Sequence, residues 1–223
     1  MTTEAVRSSQ NQPTPPVPSL SDIWNKTEQV FGIRPCLWQI QVVQAILKGD
    51  RDVVLISSTG MGKTLTFWVP LLFRPCRSIQ IIVTPLNILG KQNVATLNKA
   101  GFKAIFISAD TATTKNFQMH ILFYNRHPMV TFLLKAIQNL GYQAVVINPE
   151  QLMKVDGGFE KLVKTSHFTD ELISVIFDEA HCISTWGAFC LEYKDVRCLC
   201  FMLPHHIPIL SPRQLSHLWS LMM

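Results

Sequence analysis

The sequence predicts an α/β fold, a mostly parallel sheet with helices on both faces. Three observations carry this. Six short β-branched runs alternate with helical segments. The first run leads into a glycine-rich loop ending in Lys-Thr. A later run ends in Asp-Glu.

The chain has 223 residues, 48% hydrophobic and 16% charged, enough to bury a sizeable core. Residues 1–20, rich in Ser, Gln, Thr and Pro, are expected to form a disordered lead. "DIWNKTEQVFG" reads as a short helix stopped at Gly32, and "LWQIQVVQAILKGD" as a second one stopped at Gly49. The strands follow as "DVVLIS", "SIQIIVTP", "KAIFIS", "QAVVINP", "LISVIFD" and "HIPIL". Their continuous apolar character suits strands covered on both faces. In such sheets ligands sit at the carboxyl ends of the strands, so the loops after strands are where chemistry is expected.

A formal net charge of +5 permits nucleic acid as a partner without requiring it. The six cysteines form no CxxC pair and no metal-ligand spacing, which predicts reduced intracellular thiols. The N-terminus has no apolar core of the signal-peptide kind. The most apolar stretch, "MHILFYNRHPMVTFLLKAI", is broken by Asn125, Arg126, His127 and Pro128, so no membrane span is predicted.

The loop "SSTGMGKT" meets the pattern G-x-x-x-x-G-K-[ST] except at its first position, where Ser57 replaces glycine. Ser58, Thr59, Gly60, Met61, Gly62, Lys63 and Thr64 are expected to cradle a nucleotide. Gly60 and Gly62 let backbone N–H groups approach phosphates. Lys63 reaches the β- and γ-phosphates, and the Thr64 hydroxyl ligates Mg²⁺. "KTLTFWVPLLF" is expected to follow as a helix whose dipole assists. In "LISVIFDEAH", Asp178 is placed to hold the Mg²⁺ and Glu179 to orient and deprotonate an attacking water. His181 is a candidate for coupling this site to another surface. A glycine-rich turn with a chance lysine is the plain alternative, made weak by the strand–loop–helix context.

Together, "STGMGKT" and "FDEAHCISTWG" resemble the RecQ-like DNA helicases of helicase superfamily two. The resemblance covers most of residues 30–205. It implies a first RecA-like motor domain over residues 21–210, ATP and Mg²⁺ as cofactors, and ATP-driven 3′-to-5′ translocation on single-stranded or forked DNA. It also implies a nuclear location. "FGIRPCLWQ" is similar to the family's adenine-recognition segment, with Gln39 reading the base edge. "VTPLNILGKQ" and "VVINPEQL" are similar to segments that touch the DNA backbone, which implicates Thr84, Pro85, Lys91 and Asn148. "STWGAF" is similar to the aromatic loop that senses single-stranded DNA, which implicates Trp186 and Phe189; core packing of that loop is the competing reading.

Departures from the family pattern shape further expectations. Cys190 and Leu191 stand where the family has Arg and Pro, and Cys198 and Cys200 where basic residues are expected, a clustering that resembles sequence decay. Residues 118–135 read as an insertion. The tail "LSPRQLSHLWSLMM" is not strand-like. One permitted codon choice for it, read one base over, encodes a Ser-Ala-Thr helicase segment. The expectation is therefore that residues 211–223 are a frameshifted tail without selected structure, and that the chain is the ATP-binding half of a truncated helicase, impaired as an enzyme. The rivals are a non-catalytic nucleotide- or nucleic-acid-binding remnant and an RNA helicase, the latter disfavoured by "CISTWG".

Overall fold

The computed structural model describes residues 16–58, 60–108, 136–154, 158–179, 199, 203 and 207–213. Two helices open it. Helix α1, Leu20–Phe31, is capped by Ser19, whose hydroxyl accepts the Asp22 N–H at 3.1 Å. It ends at Gly32, where φ of 66° takes a left-handed turn that glycine adopts without strain. Helix α2, Leu37–Lys48, buries Ile40, Val43 and Leu47 against Ile23 of α1 and against Leu65 and Val69.

The sheet has six strands: β1 Val53–Ile56, β2 Ile79–Val83, β3 Ala104–Ile107, β4 Ala144–Ile147, β5 Leu172–Phe177 and β6 Ile209–Arg213. All pairings are parallel, in the order β1-β6-β5-β2-β4-β3. Every residue of β2, β4 and β5 is buried, whereas the edge strands β1 and β3 alternate. Alternate side chains feed two cores. Ile79, Ile81 and Val83 of β2 face one layer with Phe168 and Leu199. Ile82 faces the other, with Phe67, Leu71 and Leu97. The doubly covered parallel sheet predicted from the apolar runs is thus the observed architecture.

Between the strands lie α3 Leu65–Trp68, a 3₁₀ turn Val69–Phe73, α4 Asn87–Lys99, α5 Pro149–Leu152, α6 Gly158–Val163 and α7 Ser166–Thr169. No helix among the described residues is long and apolar enough to cross a membrane.

Two expectations need correction. The single helix expected over "KTLTFWVPLLF" is split after Trp68. Pro70 has no N–H to donate, and the chain tightens there into the 3₁₀ turn. The helix behind the phosphate loop is therefore one turn long. The last strand also differs from "HIPIL": it begins at Ile209 and runs through Ser211 and Pro212 to Arg213, three residues into the segment expected to be irregular. The backbone of β1 offers an edge, and Val53–Ile56 align with Leu210–Arg213 along it. Pairing with β5 stops at Leu210, before Pro212, so the proline falls where β5 no longer aligns with the strand. The remaining tail, the N-terminal lead up to residue 15 and the proposed insertion at 118–135 lie outside the described residues.

Candidate nucleotide and DNA site

The residues that follow the strands gather on one edge of the sheet: Ser57 after β1, Thr84 after β2, Asn148 after β4 and Asp178 after β5. Backbone bonds extend the ladders past the strand ends. Asp178 N–H donates to Val83 O at 2.8 Å, Thr84 N–H to Ile147 O at 3.0 Å, and Asn148 N–H to Ile107 O at 3.1 Å. These residues are held by the sheet, which fixes them more tightly than free loops would.

The phosphate loop is closed on itself. Lys63 Nζ donates to Ser57 O at 3.2 Å and to Ser58 O at 3.0 Å. An arriving phosphate must exchange these neutral acceptors for charged ones, which favours the exchange. Gly60 and Gly62 have φ of 80° and 75°, values that side chains resist. Gly62 is constrained twice, because a Cβ there would lie 2.9 Å from Gln39 Nε2. At the pattern's variant first position, Ser57 Oγ is buried without a partner.

Gln39 is placed differently from the expected base reader. It is 5% exposed. Its Oε1 accepts the Cys36 N–H at 2.7 Å, and its Nε2 donates to Gly62 O at 2.9 Å. The amide thus ties the start of α2 to the phosphate loop. Met61 and Ser58 are exposed and Thr64 is half-buried at the start of α3.

Asp178 is 7% exposed. Burial, and then the charge of Glu179, push its carboxyl up to about 6; the Glu179 N–H and the Lys63 charge pull the other way. The loop lysine is thus within electrostatic range of the Asp178 carboxyl. Asp178 Oδ1 accepts the Glu179 N–H at 3.0 Å, and Glu179 has φ of 52°, a left-handed conformation uncommon for its type.

On the neighbouring strands, Thr84 is fully buried and its Oγ1 has no partner. Pro85 is half-buried and Lys91 is exposed on α4. Asn148 is 7% exposed and its Nδ2 donates to Asn87 Oδ1 at 2.7 Å. Asn87 is a member of this edge that sequence reading did not single out. The two asparagines are 61 residues apart, and no local pattern announces such a pair. Thr59, His181, Trp186 and Phe189 lie outside the described residues, as do Cys182, Cys190, Cys198 and Cys200. An apolar cavity of about 520 Å³ adjoins the loop, lined by Trp38, Val42, Ala45, Val53, Leu55 and Met61. Ser57 and Ser58 of the loop also line it, whereas Lys63 and Asp178 do not.

The family model described as DEAD/DEAH box helicase matches residues 37–210, the span holding both the loop and Asp178. The chain belongs to the DEAD/DEAH box helicase family. Within that family its sequence resembles the RecQ-type helicases. The ATP-dependent helicase SGS1 of Saccharomyces cerevisiae is 27% identical over 189 residues, covering 82% of this chain and 12% of that protein. The ATP-dependent DNA helicase RecQ of Bacillus subtilis is 27% identical over 173 residues, covering 77% of this chain and 25% of that protein. RecQ of Pasteurella multocida is 29% identical over 175 residues, covering 78% and 24%. The DEAD/DEAH box chain here thus spans a quarter or less of the length of these relatives. Among solved structures, the DUF1998 helicase MrfA bound to DNA and AMPPNP superposes with a TM-score of 0.61 at 17% identity, over 89% of this chain and 27% of that one. A DEAD box protein from the hyperthermophile Methanococcus jannaschii gives 0.57 at 19% identity, over 85% and 46%. Both likenesses bear out the RecA-like fold.

Proposed function

We propose that the chain is the nucleotide-binding half of a RecQ-like 3′-to-5′ DNA helicase, with ATP as nucleotide and single-stranded or forked DNA as partner. The observation that carries this is the sheet edge on which the glycine-rich loop after β1 meets Thr84, Asn148 and Asp178 after β2, β4 and β5. The loop fits a phosphate. Ser57 Oγ is a buried polar atom awaiting a partner, and Gly62 leaves a cradle that any Cβ would fill.

Lys63 leaves its two loop carbonyls to neutralise the β- and γ-phosphates. Thr64 and Asp178 would hold Mg²⁺, which when bound offsets phosphate charge. Asp178 suits that role, because a buried carboxylate regains its charged form beside a cation. Glu179 positions the attacking water and accepts its proton. Ser58, Thr59, Gly60 and Met61 shape the loop around the phosphates. Gln39 sets the loop's position through Gly62, and turning its amide outward would let it meet the adenine edge. Thr84, Pro85, Lys91 and Asn148 face the DNA backbone, while His181, Trp186 and Phe189 couple DNA to hydrolysis. A role in DNA recombination and repair, in a nucleus, completes the reading.

Titration of a fluorescent ATP analogue with Mg²⁺ tests it. Lys63→Ala should weaken binding at least about tenfold, the loss of one charged phosphate contact. Equal affinity of the two proteins would overturn the assignment.

A further inference from the structure

We infer that Asn87 is a positioning residue: its side-chain bond to Asn148 locks the loop after β2 to the loop after β4, so that both present to DNA as one surface. This rests on the DNA-binding reading above. Three observations support it. The bond is short, 2.7 Å, and joins the side chains of two loops that the backbone bond from Thr84 N–H to Ile147 O also links. Asn87 is exposed and flanked by Leu86 and Ile88, which are 42% and 71% exposed, so little core packing holds this stretch. Asn148, by contrast, is rooted in the sheet by its N–H bond to Ile107 O.

Two buried atoms beside the lock have no partner: Thr84 Oγ1 and Asn148 Oδ1. A carboxamide is nearly symmetric in shape. If the Asn87–Asn148 pair turns over together, Asn87 becomes the donor, and the unpartnered atom of Asn148 becomes an N–H donor. The pair can therefore present an acceptor at rest and a donor toward a phosphate oxygen without breaking its own bond. An alanine at position 87 removes this option and leaves Asn148 without its anchor. The lock also lies on a run of backbone bonds that reaches Asp178 through Val83 and Thr84.

The experiment is a double-mutant cycle with Asn87→Ala and Asn148→Ala, reading the affinity of the full chain for a labelled single-stranded oligonucleotide by fluorescence anisotropy. Asn87→Ala should weaken DNA binding about threefold to tenfold, the scale of one hydrogen bond. Binding of the fluorescent ATP analogue should not change. The double variant should bind no worse than Asn148→Ala alone, because both changes remove the same lock. A merely structural Asn87 would lower thermal stability and leave DNA affinity alone. Because Asn87 is exposed, its variant should fold, and the single substitution decides even if Asn148→Ala does not. Unchanged DNA affinity in Asn87→Ala, or additive losses in the cycle, would overturn the lock while leaving the DNA reading intact. Failure of the unsubstituted chain to bind the oligonucleotide would overturn the DNA reading and the lock with it.

Discussion

Asp178 pits stability against function within one side chain. Its folded carboxyl titrates near 6, above the ordinary 3.8. Below pH 3.8 it is neutral in both folded and unfolded chains and costs nothing. Between 3.8 and 6 the folded chain holds the proton more tightly, so stability falls as pH rises, and above 6 the full penalty remains. The size is about 3 kcal/mol. Asp178→Asn should therefore melt higher than the unsubstituted chain at pH 7.5, by several degrees, and the gap should close toward pH 4. Thermal melts at the two pH values check this; a variant that melts lower at pH 7.5 refutes it. The residue's place was legible from "VIFDEAH", since a carboxylate that ends an apolar strand comes out at the carboxyl edge of the sheet. The engagement of Gln39 was not legible. Its partners are a backbone N–H three residues back and a carbonyl 23 residues on, and no side-chain pattern marks a carbonyl as an acceptor.

At the scale of elements, α4 carries Asn87 and Lys91, buries Leu97 in the core and brings its backbone close to β3 at Gly90. A Cβ on Gly90 would lie 2.3 Å from the Phe106 ring of β3, and Phe106 is 8% exposed. The helix therefore rests its backbone on an aromatic ring, with no side chain between. Gly90→Ala gains helix propensity, about 1 kcal/mol, but forces the ring or the helix aside, at a cost of about 1–3 kcal/mol. The expected net result is destabilisation and weaker DNA binding, since the helix start moves with its axis. Urea denaturation and oligonucleotide binding measure both; a more stable variant would show that the ring yields freely. The strands themselves were legible because β-branched runs of four to six residues have few other uses. Helix lengths were less so. "KTLTFWVPLLF" reads as one apolar helix until Pro70 is given its full weight, and the run "SPR" does not read as strand until β1 is seen lying beside it.

In the whole molecule, the strand that leads into the phosphate loop depends on the last strand described. Among the described residues β1 pairs with β6 alone, and Asp52 Oδ1 accepts the Ile209 N–H at 2.9 Å to start that pairing. Removing residues from Ile209 onward should leave β2, β3, β4 and β5 paired but free β1. Nucleotide affinity should then fall more than about tenfold, with faster amide exchange at Val53–Ile56. Unchanged affinity in the shortened chain would refute the dependence. No strand pattern in "DVVLIS" reveals this, because pairing partners are a property of topology and not of local periodicity.

The same pairing sets a clock on synthesis. Val53 meets Leu210, 157 residues later in the chain. At about 5–20 residues per second, the ribosome takes roughly 8–30 s to supply the partner. Throughout that interval the nascent chain carries a β-branched strand with an open edge, and Val54 and Ile56 remain exposed even in the finished fold. The strand that leads into the nucleotide loop is thus translated early and paired late, with its edge open to wrong partners for the interval between.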